Sequence, residues 1–376
     1  MEHLRSETQS SAGVRLERLT KRYASMADPA VDGVSLDVQA GEFLTLLGPS
    51  GSGKSTLLGL IAGFSRPSDG QVILDGQDVT EIPPHRRNIG MVFQNYALFP
   101  HMSALDNVAF ALRRRGVSRK AAADQARVAL GQVDLAELAD RRPNELSGGQ
   151  QQRVAVARAI IFGPRLVLMD EPFGALDRRL REGMQLEMMR LHGELGMTFI
   201  FVTHDQEEAL SMSDRIAVMK DGRIEQVGSP TALYDHPASQ FVAGFLGDSN
   251  LFVGRSTSAD VVETQVGALH VPSITPHSSC ALLVRPENAR LIASARTSGP
   301  DVNSVPCTVE EIVYLGATRR VMVRFGSGEQ GTISSPARGG DEVRVGDRSF
   351  FEWDASAGHV IEDDADVSTA PALEVR

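Results

Sequence analysis

In the stretch LLGPSGSGKSTLL, Gly48 is followed by four residues and then by Gly53, Lys54 and Ser55. This is the spacing of a phosphate-cradling loop, G-x-x-x-x-G-K-[ST]: glycines let backbone N–H groups approach phosphate oxygens that a Cβ would hold away, and the lysine adds a point charge. A pair of adjacent acids, Asp170 and Glu171, closes the apolar run RLVLMDEP. There Asp170 can hold Mg²⁺ together with the Ser55 hydroxyl, and Glu171 can orient a water toward a γ-phosphorus. In LSGGQQQRVAVARAI, Ser147 is a good helix N-cap ahead of Gly148, Gly149 and Gln150. The two glycines leave amides uncovered at the positive end of a helix, a place suited to an anion, although a capped helix after a turn has the same pattern. A phosphate loop alone leaves kinases, GTPases and transport ATPases open.

These residues need strands and helices to bring them together. FLTLL before the loop reads as a buried strand, and STLLGLIAG after it reads as a helix. Up to about Gly247, short apolar strands (NIGMVF, RLVLMD, TFIFVTH) alternate with helical stretches, the pattern of an α/β domain with a largely parallel sheet. One part of it, from about Asn107 to Arg142, is mostly helical. Beyond it the texture changes to short alternating strands (ALHVPSI, CALLVRP, CTVEEIVYLG, TRRVMVRFG), as in a small β-barrel or OB-like module. The polar residues 1–13 and the tail after Glu362 read as frayed.

Composition bounds what such a chain does. Its 376 residues, 42% hydrophobic and 23% charged, suffice for two cored domains, and a formal charge of −10 argues against a nucleic-acid-binding surface. Cys280 and Cys307 have no metal-type spacing and read as core residues. No run of roughly 18 apolar residues is present, and the start MEHLRSETQSSAG lacks the apolar core of a secretory signal, so the expectation is a cytoplasmic protein.

The phosphate loop, LSGGQ and VLMDEP, in this order with the rest of the motif set, resemble the ATP-binding-cassette (ABC) family, and the long stretches SRPSDGQVILDGQDVTEIPPHRRNIGMVFQNYALFP and THDQEEALSMSDRI are similar to its importer ATPases. The resemblance implies ATP and Mg²⁺ as cofactors. It implies that Gly48, Ser50, Gly51, Gly53, Lys54, Ser55 and Thr56 hold the phosphates, that Tyr23 in KRYA stacks on adenine, and that Ser55, Asp170 and Gln94 hold the metal. Glu171 positions the attacking water, His204 in FVTHD contacts the γ-phosphate, and Asp177 in GALD communicates across a dimer, with Gly174 where many relatives carry serine. A chain's signature residues Ser147, Gly148, Gly149 and Gln150 would face the ATP held by a second copy's Lys54 in a head-to-tail homodimer.

The same resemblance sets the expected organisation: an ABC ATP-binding domain over 14–247 with a helical subdomain, a TOBE-like regulatory β domain over 248–362 and a disordered tail over 363–376. It implies two transmembrane permease subunits, an external solute-binding protein, a peripheral location on the cytoplasmic membrane face and no nucleic acid. THDQEEALSMSDRI with FVAGFLGDSNLF is most similar to spermidine/putrescine importers, with ferric-iron, sugar and glycerol-phosphate importers as alternatives. A soluble non-transport ABC ATPase is the more remote reading, set back by the single motif set and the lack of sustained heptads. A GTPase is opposed by the absence of any Asn-Lys pair, which the guanine-reading N-K-x-D motif needs.

Overall fold

Phe43–Leu47 is buried at every position, as expected of a strand covered on both faces. It lies within a six-stranded sheet of a computed structural model that describes residues 11–174, 177–294, 300–338 and 343–362. The chain divides into two compact units, Met1–Pro230 and Thr231–Arg376.

The first unit begins with the antiparallel strands β1 (Val14–Lys21) and β2 (Val31–Val38), followed by β3 (Phe43–Leu47) and helix α1 (Lys54–Ala62). Next come β4 (Asp69–Leu74), β5 (Gln77–Asp78) and β6 (Ile89–Val92), then helices α2 (Ala104–Arg113), α3 (Arg119–Gln132) and α4 (Gly148–Ile160). The remaining elements are β7 (Leu166–Asp170), α5 (Arg178–Leu195), β8 (Thr198–Thr203), α6 (Gln206–Met212), β9 (Arg215–Lys220) and β10 (Arg223–Gly228). The central sheet has the order β10-β9-β3-β8-β7-β6, all neighbours parallel except the edge hairpin β9/β10. A second sheet, β2-β1-β4-β5, is antiparallel.

Alternation along the central strands divides the apolar residues between two cores. Phe43, Val167, Met169, Phe199 and Phe201 join helices α2 to α5 in one, while Leu44, Leu46, Leu166, Leu168, Ile200 and Val202 join α1 and the antiparallel sheet in the other. Successive side chains of a strand point to opposite faces, so a continuous apolar run is what a two-sided sheet needs. Each such side chain contributes roughly 1.5–3 kcal/mol by burial.

The second unit holds two five-stranded antiparallel sheets. One contains Asn250–Ser256, Val261–Thr264, Gly267–His270, Ser279–Val284 and Gly358–Glu362; the other contains Arg290–Ile292, Val302–Tyr314, Thr318–Phe325, Gln330–Pro336 and Arg348–Asp354. They share one core, in which Phe252 stacks on Trp353 at 5.4 Å and both free cysteines, Cys280 and Cys307, are buried.

The contact division falls before the expected boundary at residue 247. The reason is Arg285, a buried residue at the end of a core strand. It donates to the carbonyls of Tyr234 (2.7 Å) and Ala243 (3.0 Å) and to Ser249 Oγ (2.7 Å), while Ala243 itself packs with Leu283 and Ile361. The connecting helical residues therefore belong with the strands that follow. The stretch 363–376, expected as a disordered tail, lies outside the described residues.

Candidate functional site at the strand ends

Four adjacent parallel strands end on the same edge of the central sheet. β3 runs into the glycine loop, β7 ends at Asp170, β8 leads to His204 and β6 to Gln94. The carboxyl edge of a parallel sheet is where loops gather to form ligand sites, because each strand delivers one connection there.

The loop itself is shaped by missing side chains. A Cβ on Gly48 would collide with Met219 O and Ser52 Oγ, and one on Gly53, whose φ is +96°, would collide with Ala30 O. Lys54 follows as the first residue of α1; it is only 5% exposed, and its Nζ donates to Gly48 O (2.7 Å) and Pro49 O (2.9 Å). Burial lowers its pKa, while the nearby carboxylates of Glu171 and Asp170 act in the opposite sense. A desolvated ammonium within a ring of tight backbone is suited to a polyanion.

The acids are tied to this loop. Ser55 Oγ donates to Asp170 Oδ1 at 2.9 Å, and burial raises the Asp170 pKa against the pull of that bond. Gln94 Nε2 donates to Glu171 Oε2 at 3.2 Å, and His204 Nδ1 lies 3.2 Å from Glu171 Oε1. Glu171 has φ +43°, a conformation uncommon outside glycine, and its N–H donates to Val202 O at 3.0 Å. Lys54, Ser55, Asp170, Glu171, Gln94 and His204 thus lie in one cluster. A hydroxyl beside a carboxylate supplies hard oxygen ligands for Mg²⁺, and the loop with Lys54 fits a nucleoside triphosphate.

The other candidate residues stand outside these contacts. Tyr23 is 38% exposed with Lys21 Nζ 5.1 Å from its ring centroid, on the segment that ends with Ala30 against the glycine loop. Ser147 caps α4 in a reciprocal box: its Oγ accepts from Gln150 N (3.4 Å) and Gln150 Oε1 accepts from Ser147 N (2.9 Å). That leaves the Gly148 and Gly149 amides as the donors the first turn has not used. Gly149 has a second reason to lack a side chain, since a Cβ there would press within 2.8 Å of Leu180 on α5 of the same chain. Asp177 caps α5, its Oδ1 accepting from Leu180 N at 3.0 Å. Ser50, Gly51 and Thr56 lie on the loop and the first turn of α1.

Sequence reasoning missed a brace behind His204. Asp205 caps α6, accepting from Glu207 N and Glu208 N, while Glu208, 3% exposed, accepts from Thr203 Oγ1 at 2.6 Å. Arg181 of α5 reaches Asp205 Oδ2 at 2.8 Å. The signal was present: Asp205 followed three residues later by Glu208 has capping-box spacing.

A phosphate loop, an acid pair at a strand end and a histidine beside the second acid, on one parallel-sheet edge, define a P-loop nucleotide hydrolase. Residues 31–174 match the family model "ABC transporter" and residues 282–361 match "TOBE domain". The chain is 45% identical over 362 residues to the spermidine/putrescine import ATP-binding protein PotA of Acidothermus cellulolyticus, covering 92% of this chain and 93% of that protein. Its counterpart in Thermobifida fusca is 49% identical over 84% of each chain. A solved dimeric ATP-binding cassette in a post-hydrolysis state bound to ADP and Pi aligns with 37% identity and a TM-score of 0.53, covering 58% of this chain and 98% of that one. The chain belongs to the ATP-binding subunits of ABC transporters, and it is a transport ATPase with a TOBE domain after its cassette.

Proposed function

We propose that this chain hydrolyses ATP, with Mg²⁺, to energise a binding-protein-dependent importer of spermidine and putrescine. The observation that carries the solute is the run of relatives, 42–49% identical and aligned over most of their length, that bear that import name. The loop amides from Gly48 to Gly53, with Lys54, Ser55 and Thr56, hold the phosphates, and Tyr23 stacks on the base. Ser55, Asp170 and Gln94 hold Mg²⁺, which would neutralise charge on the phosphate oxygens. Gln94 and His204 bracket the Glu171 carboxylate and keep it aimed at the attacking water.

Two copies act head to tail, with Ser147, Gly148, Gly149 and Gln150 of one facing the nucleotide on the other, and Asp177 at the contact between them. The dimeric state of the solved cassette neighbour supports this pairing. The pair sits on the cytoplasmic membrane face beneath two permease subunits fed by an external solute-binding protein. Among the described residues no helix is long and apolar enough to cross a membrane, in keeping with a peripheral subunit.

The test is ATP turnover by the chain reconstituted with its cognate permeases and binding protein. Spermidine or putrescine should accelerate it. Stimulation by Fe³⁺, maltose or glycerol phosphate under matched conditions, with none by either polyamine, would overturn the solute and leave the importer ATPase.

A further inference from the structure

Gln94 begins a loop whose next turn is held in an unusual shape. Tyr96 and Ala97 both lie in the left-handed region, with φ +57° and +47°, and neither is glycine. Residues hold such backbone only where their surroundings over-determine it. Here the surroundings are Arg158 in the last turn of α4: its Nη2 donates to Tyr96 O at 2.8 Å and its Nη1 to Ala97 O at 2.7 Å. The forked guanidinium spans two consecutive carbonyls, which the single ammonium of lysine does not reproduce. Its ring neighbour is Phe99, 5.9 Å away. Among the described residues its hydrogen bonds go to these carbonyls and to no carboxylate, so a half-buried cation is committed to shaping the loop. At the far end of the loop, buried Asn107 accepts from Phe99 N (2.8 Å) and donates to Ser103 O (3.0 Å).

We propose that Arg158 is a positioning residue for ATP hydrolysis, holding the Gln94 loop so that Gln94 meets Glu171 and binding that loop to the helix whose other end is capped by Ser147. From Ser147 to Arg158 the helix is rigid over about 17 Å. A displacement of the signature end is therefore delivered to the loop through the two Arg158 bonds. The inference rests on reading Gln94 and Glu171 as the water-handling pair.

The test is a double-mutant cycle on the full-length chain, with nucleotide affinity and turnover measured for wild type, Arg158→Met, Gln94→Ala and the double variant. Arg158→Met should leave nucleotide affinity within about twofold and lower kcat on the order of 10²-fold, because misplacing a positioning group by about 1 Å costs that much. In the Gln94→Ala background the same change should cost less than about threefold, since the group it acts through is gone. Arg158→Lys should fall between, and if the Met variant does not fold the cycle is run with Lys. A slow Gln94→Ala combined with a fully multiplicative effect of the Arg158 change would overturn the assignment alone. Full turnover by Gln94→Ala would overturn it together with the role given to Gln94, and unchanged kcat in both Arg158 variants would overturn it outright.

Discussion

Glu171 combines a left-handed backbone with a carboxylate bracketed by Gln94 and His204, an arrangement that fixes its direction. Because phosphoryl transfer depends on positioning, Glu171→Gln should retain ATP binding while turnover falls by roughly 10²-fold or more, measured by nucleotide equilibrium binding beside phosphate release. Near-normal turnover would assign the water elsewhere. Lys54 directly after Gly53 and Asp170 before Glu171 were legible from spacing, because phosphate-loop and metal chemistry dictate it, whereas Gln94 and His204 entered only through the family resemblance. Gly149 was only half legible: its bare amide can be read from LSGGQ, but packing against Leu180 is a tertiary fact that no local pattern carries. Arg158 was hidden for the same reason, since the carbonyls it holds lie about sixty residues earlier in the chain. In the second unit, burial pushes the Cys307 thiol up to about 11. Thiolate is the reactive form, so iodoacetamide should modify Cys307 only after denaturation, as read by intact-mass spectrometry. Rapid alkylation of the folded chain would place this thiol outside the core.

At the scale of elements, the strands β3, β7 and β8 were readable as short continuous apolar runs, and the glycine-to-helix connection from the phosphate-loop spacing. The helical residues 231–245 were not, because the bonds from Arg285 that join them to the later strands cross long sequence separations. The same region holds a titratable contact: His236 Nδ1 lies 3.4 Å from His359 Nδ1, and His359 Nε2 lies 3.1 Å from Pro237 O. Burial lowers the His359 pKa below its usual 6.5, so the unfolded chain takes up the proton more readily. The sign follows: this contribution to stability is full above the unfolded value and is lost as pH falls through 6.5 toward the folded pKa. Trp353, the single tryptophan, is buried in the second unit, so its fluorescence reports that unit's unfolding. Its denaturation midpoint should drop on acidification below 6.5, and His359→Gln should flatten that drop. An unchanged slope in the variant would remove His359 from the account.

At the scale of the whole molecule, one chain carries a phosphate loop with its acids and also a capped signature helix whose free amides suit an anion. Both surfaces are used if two copies pair head to tail, so that each ATP is held by Lys54 of one copy and Ser147 of the other. The direct test mixes two inactive variants. Lys54→Ala removes the phosphate clamp, and Ser147→Arg places bulk at the amide-lined end of α4. Each variant alone should fail to turn over ATP, because both of its sites lack one half. A purified heterodimer of the two has one site with both halves intact, and it should bind one nucleotide per pair with near wild-type affinity and recover turnover there. Full turnover by Ser147→Arg alone, or a verified heterodimer that binds no more nucleotide than its parents, would contradict a site shared between two chains.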